Sequence, residues 1–174
     1  IIVIAIMAIV VTVAGLSVGT LTGRKVRKCA DEIVSTMERA RVLTLGKEQN
    51  NVECVISYDS TSKEYHAKVY QVINGTLTAV SDRVVGRDPI QVQVYFDDDD
   101  THAYSLTELK GTLPYASSTE GLHLVFNRAS GAFEAGTCEA GGDKKNYCKR
   151  IVVSNGTRSI EITTVGRTGK ILTK

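Results

Sequence analysis

Four cysteines, at positions 29, 54, 138 and 148, carry the most definite chemistry in this chain of 174 residues. None of them sits in a CxxC pair, and His66, His102 and His123 are scattered, so no local zinc signature exists. An even cysteine count in a Gly- and Thr-rich chain fits two disulfides and an oxidising compartment, the alternative being buried free thiols. The run Asp97–Asp100 could offer carboxylate oxygens to Ca²⁺ together with Glu108. It matches no EF-hand loop, and four adjacent acids read better as a solvated loop at a strand end. No GxSxG elbow accompanies the serines. His66 and His123 fall at ordinary strand positions, and Ala140–Asp143 lacks the Lys-Ser/Thr of a phosphate-binding loop. The residues therefore predict no enzyme, no metal and no cofactor.

The elements that must position these residues begin with a long helix. Ile1–Leu21 contains no charged residue, and the following segment continues without Pro or polar linker to Leu45. As one helix this would be about 68 Å long, far more than a chain of this size needs for a globule. Val26, Cys29, Ala30, Ile33, Val34, Met37 and Ala40 recur at spacings of three and four, which predicts an amphipathic second half. Val26, Ile33, Met37 and Ala40 are the residues expected to pack on the rest of the protein, with Gly46 ending the helix. The apolar set Ile1, Ile2, Ile4, Ile6, Ile9 and Val13 is expected to serve assembly or anchoring. Gly15 and Gly19 form a small-xxx-small pair that permits close helix approach or simply softens the helix.

Almost everything downstream reads as strand. Val52–Tyr58, Glu64–Ile73, Thr76–Val85, Ile90–Phe96, Leu122–Phe126, Ile151–Ser154 and Ser159–Val165 alternate with period two. Asn74-Gly75 and Asn155-Gly156 are hairpin signals; each also heads an Asn-Gly-Thr glycosylation acceptor, which the turn role explains without sugar. Thr101–Ser118 is the least regular stretch. The resulting architecture is α+β, a helix laid on one face of an antiparallel sheet of about eight strands. It divides into 1–23 as the apolar half of the helix, 24–45 as the amphipathic half, and 46–174 as the β domain.

This arrangement bears on the cysteines. From 29 to 45 is about 24 Å of helix, and eight extended residues return about 26 Å. Cys29–Cys54 is thus within reach, and Cys138–Cys148 would staple the Gly-rich loop, the preferred of three connectivities.

The balance of 21 basic and 19 acidic residues gives no general reason to expect nucleic acid. The local cluster Arg24, Lys25, Arg27 and Lys28 reads as an interfacial boundary beside an apolar span. About 20 apolar residues suffice to cross a bilayer, so Ile1–Leu21 is a candidate transmembrane helix. The chain opens directly on Ile-Ile-Val-Ile, without a basic start, which reads as a truncated or processed beginning. A simple anchor would hold the basic cluster in the cytoplasm, and with it the cysteines, against the disulfide reading.

The opening IIVIAIMAIVVTVA resembles the N-terminal helix of type IV pilins and of type II secretion pseudopilins. Farther on, Leu122–Phe126 with the Asn127–Gly131 turn, and the hairpin segment SIEITTVGR, are similar to minor pseudopilins with a GspH-like domain. The resemblance implies the pilin fold. It also implies a basic leader removed by a prepilin peptidase, a methylated N-terminus and an assembly glutamate, all upstream of Ile1. The implied function is a structural subunit of a type IV pilus, polymerising as a homo-oligomeric helical filament. Its partners would be the inner or cytoplasmic membrane before assembly, the pilus assembly machinery and minor pilins. The implied localisation is the cell surface with a membrane-inserted pool, which would place the domain outside and permit disulfides. A minor pseudopilin or pilus-tip subunit is the alternative, and a single-pass anchored binding domain a further one. The helix-bending Pro of many major pilins is absent: the two prolines, Pro89 and Pro114, lie far downstream. A hairpin also continues beyond the Cys138–Cys148 loop, where pilins usually end.

Overall fold

The computed structural model describes residues 2–46, 52–112 and 120–174, with side chains described from Gly23 onward. Helix α1 is continuous over Ile2–Leu45. Twelve strands follow: β1 Val52–Asp59, β2 Glu64–Ile73, β3 Thr76–Arg87, β4 Gln91–Phe96, β5 Tyr104–Ser105, β6 Leu109–Gly111, β7 Leu122–Val125, β8 Cys138–Ala140, β9 Asp143–Lys144, β10 Cys148–Ser154, β11 Ser159–Val165 and β12 Lys170–Thr173. The α+β class is as expected. The single sheet is not: the strands form three, ordered β3-β2-β1-β7, β12-β11-β10-β4-β5 and β6-β8-β9.

The helix stripe explains how two of these sheets share one core. Val26, Cys29, Ala30, Ile33, Met37 and Ala40 are fully buried. They meet β1, β2 and β3 of the first sheet and β10 and β11 of the second. Val26, Ile33, Met37 and Ala40 belong to the buried core cluster that the strands share. Thr36 and Thr44 are buried in the same helix and donate to the carbonyls of Glu32 and Ala40, four residues back. Their hydroxyls are thereby satisfied within the helix. The polar margin is tied as well: Arg83 of β3 meets Glu32 at 3.2 Å, and Arg39 donates to Ser81 at 3.4 Å.

Alternation sets the inward faces of the strands. On β2, Tyr65, Ala67 and Val69 are buried while Glu64, His66 and Lys68 are not. On β4, Val92, Val94 and Phe96 point into the core. The β2–β3 turn is the one Asn-Gly demands, with φ of 53° at Asn74 and 79° at Gly75. The second Asn-Gly builds a different loop. Asn155 accepts the amides of Thr157 and Arg158 through Oδ1, closing a four-residue connection between Ser154 and Ser159. An Asn side chain that substitutes for backbone acceptors removes the need for two left-handed residues.

The irregular stretch resolves into short pieces. The strand β5, a 3-10 turn at Leu106–Glu108 and the strand β6 follow one another. Glu108 accepts the Ser105 amide at 2.7 Å and so caps that turn. Residues 113–118 of the stretch lie outside the described residues.

Because the stripe serves two sheets, truncating it should destabilise the whole domain. Ile33→Ala is expected to cost about 2–5 kcal/mol, read as a lower midpoint in urea denaturation. Val84→Thr, on exposed β3, is expected to change stability by less than about 0.5 kcal/mol.

Candidate functional site

The feature around which a function can be built is α1, and its two halves differ. From Gly23 onward it carries exposed Arg24, Lys25, Arg27 and Lys28 opposite the buried seam. Arg27 lies 3.8 Å from Asp31 on the same face. The backbone of 2–22 continues the helix. The assembly residues Ile1, Ile2, Ile4, Ile6, Ile9, Val13, Gly15 and Gly19 lie outside those whose side chains are described.

Among the described residues no helix is long and apolar enough to cross a membrane. This overturns the expectation of a transmembrane helix, of a membrane-inserted pool, and of the surface localisation built on them. The physical reason within the described part is charge: from Arg24 onward the helix is amphipathic, and its apolar stripe is spent on the sheets.

The disulfides are a second correction. Cys29, Cys54, Cys138 and Cys148 are all free and buried. Burial pushes the thiols of Cys29, Cys54 and Cys138 up to about 12, and that of Cys148 higher still. They act as small core hydrophobes, unreactive because the thiolate is suppressed. Two sulfurs also serve as weak hydrogen-bonding groups. Cys138 Sγ accepts the His123 amide at 2.9 Å and approaches its carbonyl at 3.3 Å, and Cys148 Sγ reaches the Arg150 carbonyl at 3.8 Å. Helix and strand lengths can bring Cα atoms near each other, but they do not aim the Cβ vectors that a disulfide requires.

The acidic run is engaged by the protein itself. Asp98 accepts the Asn146 amide at 3.2 Å. Asp99 accepts the Tyr104 hydroxyl at 2.8 Å, the Thr101 hydroxyl and the His102 amide. Asp100 pairs with Lys149 at 2.9 Å and with Arg150 at 3.3 Å. The Tyr104 hydroxyl holds the Asp99 carboxyl below its ordinary range, and Lys149 does the same for Asp100. Among the described residues no group of three or more His, Cys, Asp or Glu side chains could hold a metal ion.

The histidines separate. His66 joins an open network on the outer side of β2, 2.9 Å from Asp82, which Lys68 also meets at 3.1 Å. Burial alone would raise Asp82, but the hydrogen bonds from His66 and Lys68 outweigh it and its carboxyl is lowered. His123 is instead fully buried, with Nδ1 against the Glu53 carboxylate. Strands β6 and β8 of the third sheet pack against β7, which carries His123. The imidazole lies over Gly111, where any side chain would collide with the ring. Thr137 Oγ1 donates to the His123 carbonyl at 2.7 Å. Sequence reading missed this pair, and the only signal was a charged residue between apolar neighbours in Val52–Val55.

A further joint lies at the lower end of the helix. Arg41 donates from Nε to the Gly131 carbonyl at 3.2 Å and from Nη2 to the Thr168 carbonyl at 3.0 Å. Gly169, at φ of 64°, presses so close that a Cβ there would strike the Gly131 oxygen. Phe133 donates to the Gly166 carbonyl at 2.9 Å. The Asn127–Gly131 turn and the end of SIEITTVGR, far apart in sequence, are thus fastened together under one helical arginine.

Two outcomes follow. The depressed Asp99 and Asp100 carboxyls contribute stability that is present above the ordinary carboxylate value of about 4 and is lost as pH falls through their lower folded values. Thermal melts from pH 7 down to about 2.5 should show that acid limb, and Asp99→Asn should flatten it. Arg41→Ala should cost about 1–2 kcal/mol and speed amide exchange selectively at the two turns it holds. No family model, no curated protein and no solved structure matches this chain, so its function has to be argued from this geometry.

Proposed function

We propose that this chain is a structural subunit of a helical filament of the type IV pilin and type II secretion pseudopilin kind, polymerising through the first half of α1. One observation carries the reading. The helix is unbroken over 44 residues, and among the residues whose side chains are described, those it buries run from Val26 to Thr44. The sequence of Ile2–Leu21 holds no charge, and its helical backbone is about 30 Å long.

Such a helix is stable in water only if its surface is covered, and identical helices from other copies are the simplest cover. Each apolar side chain removed from water contributes about 25 cal/mol per Å². A contact in which one face of a subunit meets a different face of the next does not close, and it propagates as a helical polymer. Gly15 and Gly19 permit close approach or local yielding in that packing. The processing peptidase, the assembly machinery and companion minor subunits implied by the resemblance are partners on this reading.

A minor, priming subunit is the second reading, favoured by the joint under Arg41. Arg41 joins the Asn127–Gly131 turn to Thr168, the residue that follows SIEITTVGR, and these are the two stretches similar to GspH-like minor pseudopilins. Abundance separates the two: a main subunit makes up most of the filament mass and a priming subunit a small fraction.

Negative-stain electron microscopy of the full chain should show thin filaments. Ile6→Glu with Ile9→Glu should abolish them while leaving the urea midpoint of the β domain unchanged. Uniform monomers from the unmodified chain, or filaments that survive both charges, would sink the proposal.

A further inference from the structure

A cleft of about 470 Å³ opens where the first sheet meets the start of β4, apart from the helix seam. Its size falls within the range of small-ligand sites, about 300–1,000 Å³. One wall is a cross-strand tyrosine pair, since Tyr58 of β1 sits opposite Tyr65 of β2. The rings pack with centroids 4.7 Å apart and planes at 44°. Both are held by their hydroxyls. Tyr58 donates to Asp88 Oδ1 at 3.2 Å, and the Val92 backbone of β4 hydrogen-bonds Tyr65. Burial, and then the neighbouring Asp88 charge, raise the Tyr58 phenol above its ordinary value, so it remains a protonated donor at neutral pH.

The rest of the lining is largely polar. Gln91, Ser105 and Thr107 form it above buried Ile90 and Leu106. Ser105 Oγ and Thr107 Oγ1 are 3.0 Å apart and hydrogen-bonded to each other. The cleft thus presents an aromatic pair with a carboxylate acceptor beside it, together with a carboxamide and two hydroxyls.

The chemistry of this lining is selective. The described lining residues include one carboxylate and no Lys, Arg or His, which disfavours phosphates, sulfates and acidic peptides. An organic ammonium would prefer rings spread around it. Here the rings pack on each other and leave no room between them for a cation. A flat, weakly polar ring face dressed with hydroxyls matches this lining. Its C–H groups meet the negative π-face, and its hydroxyls exchange hydrogen bonds with groups that both donate and accept.

We propose that this cleft binds a neutral saccharide, one sugar ring lying against the Tyr58–Tyr65 pair with its hydroxyls held by Asp88, Gln91, Ser105 and Thr107. The proposal does not rest on the filament reading. A subunit and a filament present the same pocket to a soluble sugar, and either reading can fail without the other.

The full chain is titrated with the methyl β-glycosides of glucose, galactose and N-acetylglucosamine, with galacturonate and tetramethylammonium as charged probes. Saturation-transfer difference NMR reads which ligand protons touch the protein, and it tolerates assembled material. At least one neutral glycoside should bind with transfer concentrated on one ring face, and galacturonate should bind more weakly than its neutral counterpart. Tyr58→Ala and Asp88→Asn should each weaken that binding about tenfold or more, the equivalent of one good contact. Tyr58→Phe should retain most of it. Gln91→Ala and Thr107→Ala change exposed positions and should also weaken binding, which keeps the test decisive if Tyr58→Ala fails to fold. Three results would overturn the assignment: no neutral glycoside binding, binding undiminished by Gln91→Ala and Thr107→Ala, or tetramethylammonium binding more tightly than every glycoside.

Discussion

The fold depends on a single apolar stripe of α1 being buried on two sheets at once. Val26, Ile33 and Met37 lie on one line of the helix surface, and the small residues Cys29, Ala30 and Ala40 between them let the backbone come close to its neighbours. Neither large sheet has its own helical layer, so each borrows the same one. The strands of both sheets thus contribute to one connected core with the helix, from Ala67 and Val69 on β2 to Ile151 on β10. A defect in the stripe is felt on both sides because packed interiors relax only partly.

The small third sheet adds a second, quite different interface. Its strands β6 and β8 pack against β7, and Gly111 of β6 lies against the His123 ring. Glu53 and His123 are the consequence, two ionisable side chains held out of water against each other. Buried polar groups are tolerated when they are hydrogen-bonded, and here carboxylate, imidazole, threonine hydroxyl and cysteine sulfur form such a set. The cysteines belong to the same economy of space. All four are buried, and the sulfurs of Cys138 and Cys148 meet backbone groups.

Much of the secondary structure was legible in the residues. The bounds of β2 and β11 coincide with those read from alternation, and the helix ends where Gly46 predicts. Val26, Ile33, Met37 and Ala40 were identifiable because a 3.6-residue period leaves few other solutions. The three-sheet arrangement was not legible. Alternation reports which side of a strand is apolar but not whether the polar side is later covered, and so Glu53 and His123 looked ordinary. Nor could it reveal the Tyr58–Tyr65–Asp88 cleft, whose residues come from three separated segments.

What the sequence determined by itself is local: a long helix apolar in its first half, amphipathic in its second, followed by short antiparallel strands with turns set by Asn and Gly. These properties arise from side-chain period and backbone preference within a few residues of each other. Tertiary structure alone decided that the strands divide among three sheets, that the four cysteines stand as free, buried core residues, and that Arg41 locks two distant turns. Each of these depends on the direction in which side chains from remote segments meet, and no spacing along the chain encodes that direction.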